Sequence, residues 1–348
     1  GRAGRVSRRM AGEADMVKIQ WPVDSNQLSA SKGEKLMAKL VAPRDAYGEA
    51  LAGLGDINKD IVVLDADLSG STKTNVFAKK FPERFFNMGV SEADMMGTAA
   101  GLAAAGKIPF ASTFAIFASG RAWEQVRQSI AYPKFNVKIV ATHGGITVGE
   151  DGASHQTVED ISLMRVIPNM TVIVPCDAIE TRSVIQEIVK YNGPVYVRLA
   201  RGKFPVVMPE DYKFSIGRGV MMRDGKDATI IAAGLMVSHA LEAAGMLEKD
   251  GMKVRVINMS TIKPIDRDLI IRAARETGAI VTAEEHSIIG GLGEAVAGVV
   301  AEECPVPVKR TGIQDRFGQS GLAEELLVHY GLMPKDIAEA VKGVMEKK

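Results

Sequence analysis

Acids, histidines and arginines gather in a few short blocks whose residue types suit proton transfer and anion recognition. Glu92 ends Asn87-Met88-Gly89-Val90-Ser91-Glu92, Asp65 and Asp67 precede Leu68-Ser69-Gly70-Ser71, and His143 opens onto Gly144-Gly145. A denser block, Gly149-Glu150-Asp151-Gly152-Ala153-Ser154-His155-Gln156, brings carboxylates and an imidazole together, and Arg198-Leu199-Ala200-Arg201 adds two guanidinium groups. Taken singly, each has a plain structural reading. Ser91 suits a helix N-cap, with Glu92 and Asp94 as first-turn acids that favour the helix dipole. A lone histidine such as His143 is more often structural than chemical. A hydrolytic triad lacks the Gly-x-Ser-x-Gly nucleophile elbow, and no histidine cluster has the spacing of a metal hydrolase.

The elements that position these blocks alternate between strand-like and helix-like segments. Buried parallel strands are short and almost wholly apolar. Ile61-Val62-Val63-Leu64, Val137 to Ala141, Val172-Ile173-Val174 and Pro194 to Val197 fit that description, with helices expected over Ala93 to Ala105 and Ala122 to Ala131. A charged, proline-bearing stretch from Lys203 to Gly219 has no long periodic segment and reads as a linker. The alternation then resumes, with strands over Ala228 to Ala233, Lys253 to Ile257 and Ala279 to Ala283, and helices over Val237 to Glu248, Asp266 to Thr277 and Gly293 to Glu303. The expected organisation is two consecutive α/β domains: an N-terminal arm over 1–36, a first domain over 37–205, a linker over 206–220 and a smaller domain over 221–348. In open α/β sheets ligands bind beyond the carboxyl ends of the strands. Most of the polar blocks follow expected strands, so together they form a plausible rim.

Composition narrows the classes. The 348 residues are 46% hydrophobic and 24% charged with a net charge of +1, and basic residues are interspersed with acids. That balance gives no footprint for nucleic acid or an anionic membrane. The longest apolar runs fall far short of the ~20 residues of a membrane helix. Cys176 and Cys304 form no ligand motif and read as free thiols of a reducing compartment, so cytoplasm is the expected location.

Several ordered blocks resemble the transketolase family. Phe86-Asn87-Met88-Gly89-Val90-Ser91-Glu92-Ala93, followed by Gly97 and Gly101-Leu102-Ala103, is similar to the signature of the pyrimidine-binding domain. Ser112-Thr113-Phe114-Ala115-Ile116-Phe117, Ala141-Thr142-His143 and the Gly149 to Gln156 block follow in the family's order. Glu284-Glu285-His286 with Gly290-Gly291-Leu292-Gly293, and Arg316 to Gly321, resemble the family's C-terminal domain. The resemblance runs from about Pro43 to the end. It implies a parallel-sheet pyrimidine-binding domain for thiamine diphosphate followed by a Rossmann-like C-terminal domain.

It also implies residue roles. Thiamine diphosphate reacts at its thiazolium C2 carbon, and its own imino group removes the C2 proton once pyrimidine N1′ is protonated. A buried carboxylate facing N1′ holds that proton through a charge-assisted hydrogen bond, and by the resemblance it is Glu92. Phe114 and Phe117 match the aromatic pocket for the pyrimidine. Leu68 matches the apolar prop between the rings, and Asp67 a residue on the thiazolium and diphosphate side. Arg44, Ser71, His143 and Arg201 match the set that grips an acceptor phosphate. Asp151 matches the carboxylate that reads the donor's C2 hydroxyl, and His155 the histidine beside the reacting carbonyl. Gly120 is a departure, standing where the family usually has a third aromatic.

The mark of the diphosphate-binding domain, Gly-Asp-Gly with a downstream Asn, is not found here. Glu150-Asp151-Gly152 and Arg223-Asp224-Gly225 lack its strand context. The expectation is that no such domain precedes Pro43. A partner chain of the N-terminal transketolase type would then supply it, holding Mg2+ (or Ca2+) against the diphosphate in an α2β2 assembly. The expected reaction is two-carbon ketol transfer between sugar phosphates. Two related reactions use similar chains: decarboxylative condensation, as in deoxyxylulose phosphate synthases, and the β subunits of 2-oxo acid dehydrogenases. Synthases usually carry Arg at the His143 position, so His143 favours ketol transfer. A non-catalytic regulatory homologue is the alternative from another class.

Overall fold

Ile61–Asp65 is buried along its whole length, and its β-branched run makes the strand around which the first sheet is built. The computed structural model describes residues 39–348; the N-terminal arm expected over 1–36 lies outside them. The first sheet has seven strands in the order Thr261–Lys263, Thr171–Ile173, Val195–Arg198, Lys138–Ala141, Ile108–Ser112, Ile61–Asp65 and Phe85–Asn87. All neighbours are parallel except Thr261–Lys263, which runs antiparallel to Thr171–Ile173. The second sheet orders Val308–Ile313, Ile280–Ser287, Ala228–Ala232, Val254–Asn258 and Val220–Arg223, with the last strand antiparallel. Two consecutive α/β domains are present, and each sheet carries one antiparallel edge that the apolar pattern did not announce. Thr261–Lys263 belongs by sequence to the second domain yet pairs with the first. Phe204–Pro205, in the stretch read as linker, pairs with Leu40–Val41.

Helices start and stop where local chemistry dictates. Pro43 occupies the first turn of Pro43–Ile57, where its missing N–H costs nothing. Asp177 caps Ala178–Ile188 by accepting from Glu180 N at 2.8 Å, and Asp266 caps Arg267–Thr277 by accepting from Leu269 N at 3.0 Å. Gly278 ends that helix at φ 65°, a left-handed conformation that suits glycine. Between Phe117 and Ala131 the chain departs from a plain α-helix. Phe117–Arg121 and Val126–Ala131 wind as π turns, an arrangement frequent at functional sites.

The apolar core does not respect the domain boundary. Leu64, Met95, Ile139 and Val172 of the first domain join one buried cluster with Ile257, Met259 and Val296 of the second. Polar groups tie the same junction. Glu180 accepts from Asn258 Nδ2 at 3.0 Å and from the Ser260 hydroxyl at 2.8 Å, while Glu285 Oε1 accepts from Thr147 N at 2.7 Å. Arg198 pairs with Asp160 at 2.9 Å in a fully buried contact and donates to Glu285 O at 2.9 Å. Breaking one partner of a buried pair leaves an uncompensated charge, at a cost of about 3–5 kcal/mol.

Candidate active site

Four parallel strands, Ile61–Asp65, Ile108–Ser112, Lys138–Ala141 and Val195–Arg198, deliver their following residues to the carboxyl end of the first sheet. Buried Asp65 shapes the first of these loops. Its carboxylate accepts from Leu68 N at 2.6 Å and from the hydroxyls of Thr72 and Thr74 at 2.6 and 2.8 Å. The loop therefore holds Leu68 and Ser71 in a fixed turn. Asp67 takes a left-handed conformation within it and accepts from Asn87 Nδ2 at 2.9 Å. Arg44, in the first turn of Pro43–Ile57, reaches across to donate to Ser71 O at 3.0 Å.

His143 sits at φ 61° directly after its strand, a conformation few non-glycine residues adopt. Its ring is 2% exposed, stacks on Phe114 with centroids 3.8 Å apart and shares a 2.8 Å hydrogen bond with the Thr142 hydroxyl. Burial, and then the charges of Arg44, Arg201 and His155, push its pKa down to about 3. It is a neutral imidazole at ordinary pH. Phe114 lies nearly parallel to Phe117 at 5.9 Å, and His155 meets both rings edge-on at 6.2 and 5.6 Å. Arg201 donates to Val148 O and pairs with Glu150 at 3.3 Å, linking the end of Val195–Arg198 to the loop that carries Asp151.

Glu92 is the first residue of helix Glu92–Ala104, and its carboxylate is turned inward at 2% exposure. Ser91 makes no side-chain capping bond, so this is not the exposed first-turn acid of an ordinary cap. Arg121 Nη1 donates to both Glu92 oxygens at 3.0 and 3.1 Å, and its guanidinium lies 4.5 Å from the Phe117 ring centre. A Cβ built on Gly120 would meet only Ile116 Cδ1, at an ordinary contact distance of 3.8 Å, so it is not close packing that requires glycine here.

The site thus offers a buried carboxylate and a pair of parallel aromatic rings, with Arg121 spanning from Glu92 to the Phe117 face. Thr113 Oγ1, immediately before Phe114, is buried with no partner among the described residues. A flat, cationic heterocycle with N–H groups suits that set, and a protonated aminopyrimidine is one. Arg44, Ser71, His143, Arg201 and His155 come together on one side. Asp67 and Leu68 occupy the adjoining loop. Asp151 is exposed on its own loop and makes no side-chain hydrogen bond among the described residues. Sequence reasoning gave Arg121 no part in the site. Its contact with Glu92 joins residues 29 apart and leaves no local signal.

Comparison with known proteins identifies the family. Residues 39–206 match the family described as transketolase, pyrimidine binding domain, and residues 217–337 match transketolase, C-terminal domain. The chain belongs to the transketolase family. A Methanocaldococcus jannaschii protein, provisionally named a transketolase C-terminal section, is 53% identical over 90% of this chain and 99% of its own length. The 6-deoxy-6-sulfo-D-fructose transketolase subunit of Clostridium sp. (strain MSTE9) is 44% identical over 88% and 95%. A solved structure described as a split gene transketolase, inactive β4 tetramer, is 56% identical with a TM-score of 0.84, covering 88% of this chain and 99% of that one. Against human transketolase, at 36% identity, the chain spans about half of the relative's length. Among the described residues no helix is long and apolar enough to cross a membrane.

Proposed function

We propose that this chain is the pyrimidine-side subunit of a thiamine diphosphate-dependent transketolase that moves a two-carbon ketol unit between sugar phosphates. The observation that carries the reading is the buried Glu92 carboxylate, joined through Arg121 to the face of Phe117, whose ring lies parallel to that of Phe114. Bound there, thiamine diphosphate would supply a carbon nucleophile at its thiazolium C2. Glu92 would hold the N1′ proton through a charge-assisted bond. Phe114 and Phe117 would orient the pyrimidine, Leu68 would prop the cofactor's bend, and Asp67 would lie on its diphosphate side.

Arg44 and Arg201 supply cations for the acceptor's phosphate, with Ser71 and neutral His143 as hydrogen-bonding partners. Arginine's planar fork suits such oxyanions. The sulfonated sugar in the name of the Clostridium relative has the same anionic character at its end. Asp151 would read the donor's C2 hydroxyl, and His155 would stand by its carbonyl. The described residues offer no cluster of three or more His, Cys, Asp or Glu side chains for a metal. We assign Mg2+ (or Ca2+) and the diphosphate to a partner chain of the N-terminal transketolase type, in an α2β2 assembly. The solved relative's description as an inactive β4 tetramer supports the need for that partner.

The test is reconstitution. The chain is mixed with its partner, thiamine diphosphate, Mg2+, xylulose 5-phosphate and ribose 5-phosphate, and sedoheptulose 7-phosphate is the expected product. A parallel donor, the 6-deoxy-6-sulfofructose named in the Clostridium relative, distinguishes a specialised sugar range from an inert protein. Full activity of the purified chain alone, or no transfer from any donor in the complete mixture, contradicts the reading.

A further inference from the structure

The loop from Ile146 to Gln156 carries both residues assigned to the donor, and its own domain holds it through Arg201, which donates to Val148 O and pairs with Glu150. Ile146 and Val148 are fully buried, and Gly149 and Gly152 turn the backbone at φ 85° and 74°, a region that favours glycine. Gln156 closes the loop. It is 3% exposed, and its Nε2 donates to Ile146 O at 3.2 Å, Gly149 O at 3.1 Å and Gln319 O at 2.9 Å. Three carbonyl oxygens around one atom require that atom to be the amide nitrogen, which fixes the orientation of the side chain. The first two acceptors pin the loop to itself. The third belongs to the second domain.

Close packing repeats that connection along the loop. A Cβ on Gly318 would fall 1.8 Å from Gln156 Oε1, and one on Gly152 would fall 2.4 Å from Ser320 Oγ. At the loop's start, Glu285 of the second domain accepts from Thr147 N at 2.7 Å. The segment 316–321 therefore lies against the loop with glycines on both sides of the contact, where any side chain would force them apart.

We propose that Gln156 is a positioning residue through which the second domain holds Asp151 and His155 for the donor sugar. Resting on the transketolase reading, this makes segment 316–321 part of the donor-recognition apparatus. Asp151 and His155 are exposed or half-buried on this loop, so their direction depends on the loop's hold. A displacement of about 1 Å is enough to cost a large factor in an enzyme that works by orientation.

The test uses the reconstituted assembly with Gln156→Met, which keeps length and loses both N–H donors, and with Gly318→Ala on the facing segment. Each variant is expected to raise the donor KM about tenfold, the scale of one lost buried hydrogen bond. Thiamine diphosphate affinity is expected to stay near the wild-type value, and acceptor KM to move less than donor KM, since Arg201 meets the same loop only at Val148 and Glu150. Combined, the two changes are expected to raise donor KM by less than the product of their separate effects, because they act on one contact. Hydrogen–deuterium exchange on the isolated chain gives a readout independent of activity: amides of 146–156 and 316–321 exchange faster in Gln156→Met, with the sheets unchanged. An inactive wild-type assembly would overturn the transketolase reading but leave the exchange result standing. Wild-type donor KM in both variants, equal losses for donor, acceptor and cofactor, or unchanged exchange in the loop would overturn this inference.

Discussion

Arg121 Nη1 donates to both carboxylate oxygens of Glu92 while its guanidinium rests over the Phe117 ring, 4.5 Å from its centre. A guanidinium is planar, cationic and rich in N–H groups, and so is a protonated aminopyrimidine. Arg121 and the proposed cofactor therefore want the same carboxylate and the same aromatic face. In the chain by itself, the arginine keeps a buried charge paired. With 52% of its side chain exposed, Arg121 has somewhere to go.

Removing that competitor is expected to help binding. An ion pair with one half-exposed partner is worth up to about 1 kcal/mol, so Arg121→Leu should tighten thiamine diphosphate binding to the assembly by up to about fivefold. Isothermal titration with wild type and variant measures it. Weaker binding in the variant would show that Arg121 supports the bound cofactor.

Glu92→Gln removes the proposed anchor of the N1′ proton while keeping the side chain's volume. Turnover by the assembly should fall by at least ~100-fold, the scale of a lost proton-transfer group. Far-UV circular dichroism should be unchanged, because Arg121 can turn into solvent. Turnover near wild type would sink the role assigned to Glu92.

The cations of Arg44 and Arg201 are expected to act chiefly on the acceptor's anion. Hydrogen bonds to charged groups are worth about 1.5–3 kcal/mol. Arg201→Ala should thus raise KM for a phosphorylated acceptor by about 10- to 150-fold. KM for a short acceptor without phosphate should hardly move, and equal losses for both acceptors would argue against a phosphate grip.

His143 gives a prediction with a definite sign. Its folded pKa is held down at about 3 by burial and by Arg44, Arg201 and His155, whereas the unfolded chain takes up this proton near ~6.5. Below that value the unfolded state binds more protons, so stability conferred by neutral His143 is lost as pH falls from about 6.5 toward 3. His143→Asn removes the group, and asparagine tolerates the left-handed backbone at this position. Relative to the variant, the wild type should lose about 2 kcal/mol between pH 7.5 and 5. Guanidinium unfolding of both proteins at the two pH values tests this, and parallel behaviour would contradict it.

Local pattern revealed the framework. Ile61–Asp65 and Ala228–Ala232 stand out because strands covered on both faces become continuous apolar runs. Thr261–Lys263 escaped notice because three residues carry no periodicity and their partner lies about ninety positions away. The π turns after Phe117 shift side chains relative to an α-helix, so the path of Arg121 to Glu92 could not be drawn from spacing. Glu284, Glu285 and His286 read as one motif, but strand alternation sends them to different places. Glu284 accepts from Leu292 N and Gly293 N at 2.7 Å, whereas Glu285 crosses to Thr147. The ordered blocks of residues marked the candidate site. The contacts that tension it run between distant segments, as in Gln156 and Gln319, and only the fold brings those together.

Strand Thr261–Lys263 limits how this protein can be cut and recombined. A fragment ending in the stretch before Val220 would bare the backbone of Thr171–Ile173, an invitation to pair with another molecule. The complementary fragment would keep a strand with no host. Exchange of whole C-terminal domains between relatives would also graft a foreign strand onto the first sheet, so the two halves behave as a matched set and not as cassettes. Productive chimaeras should carry Thr261–Lys263 and its receiving edge from the same parent.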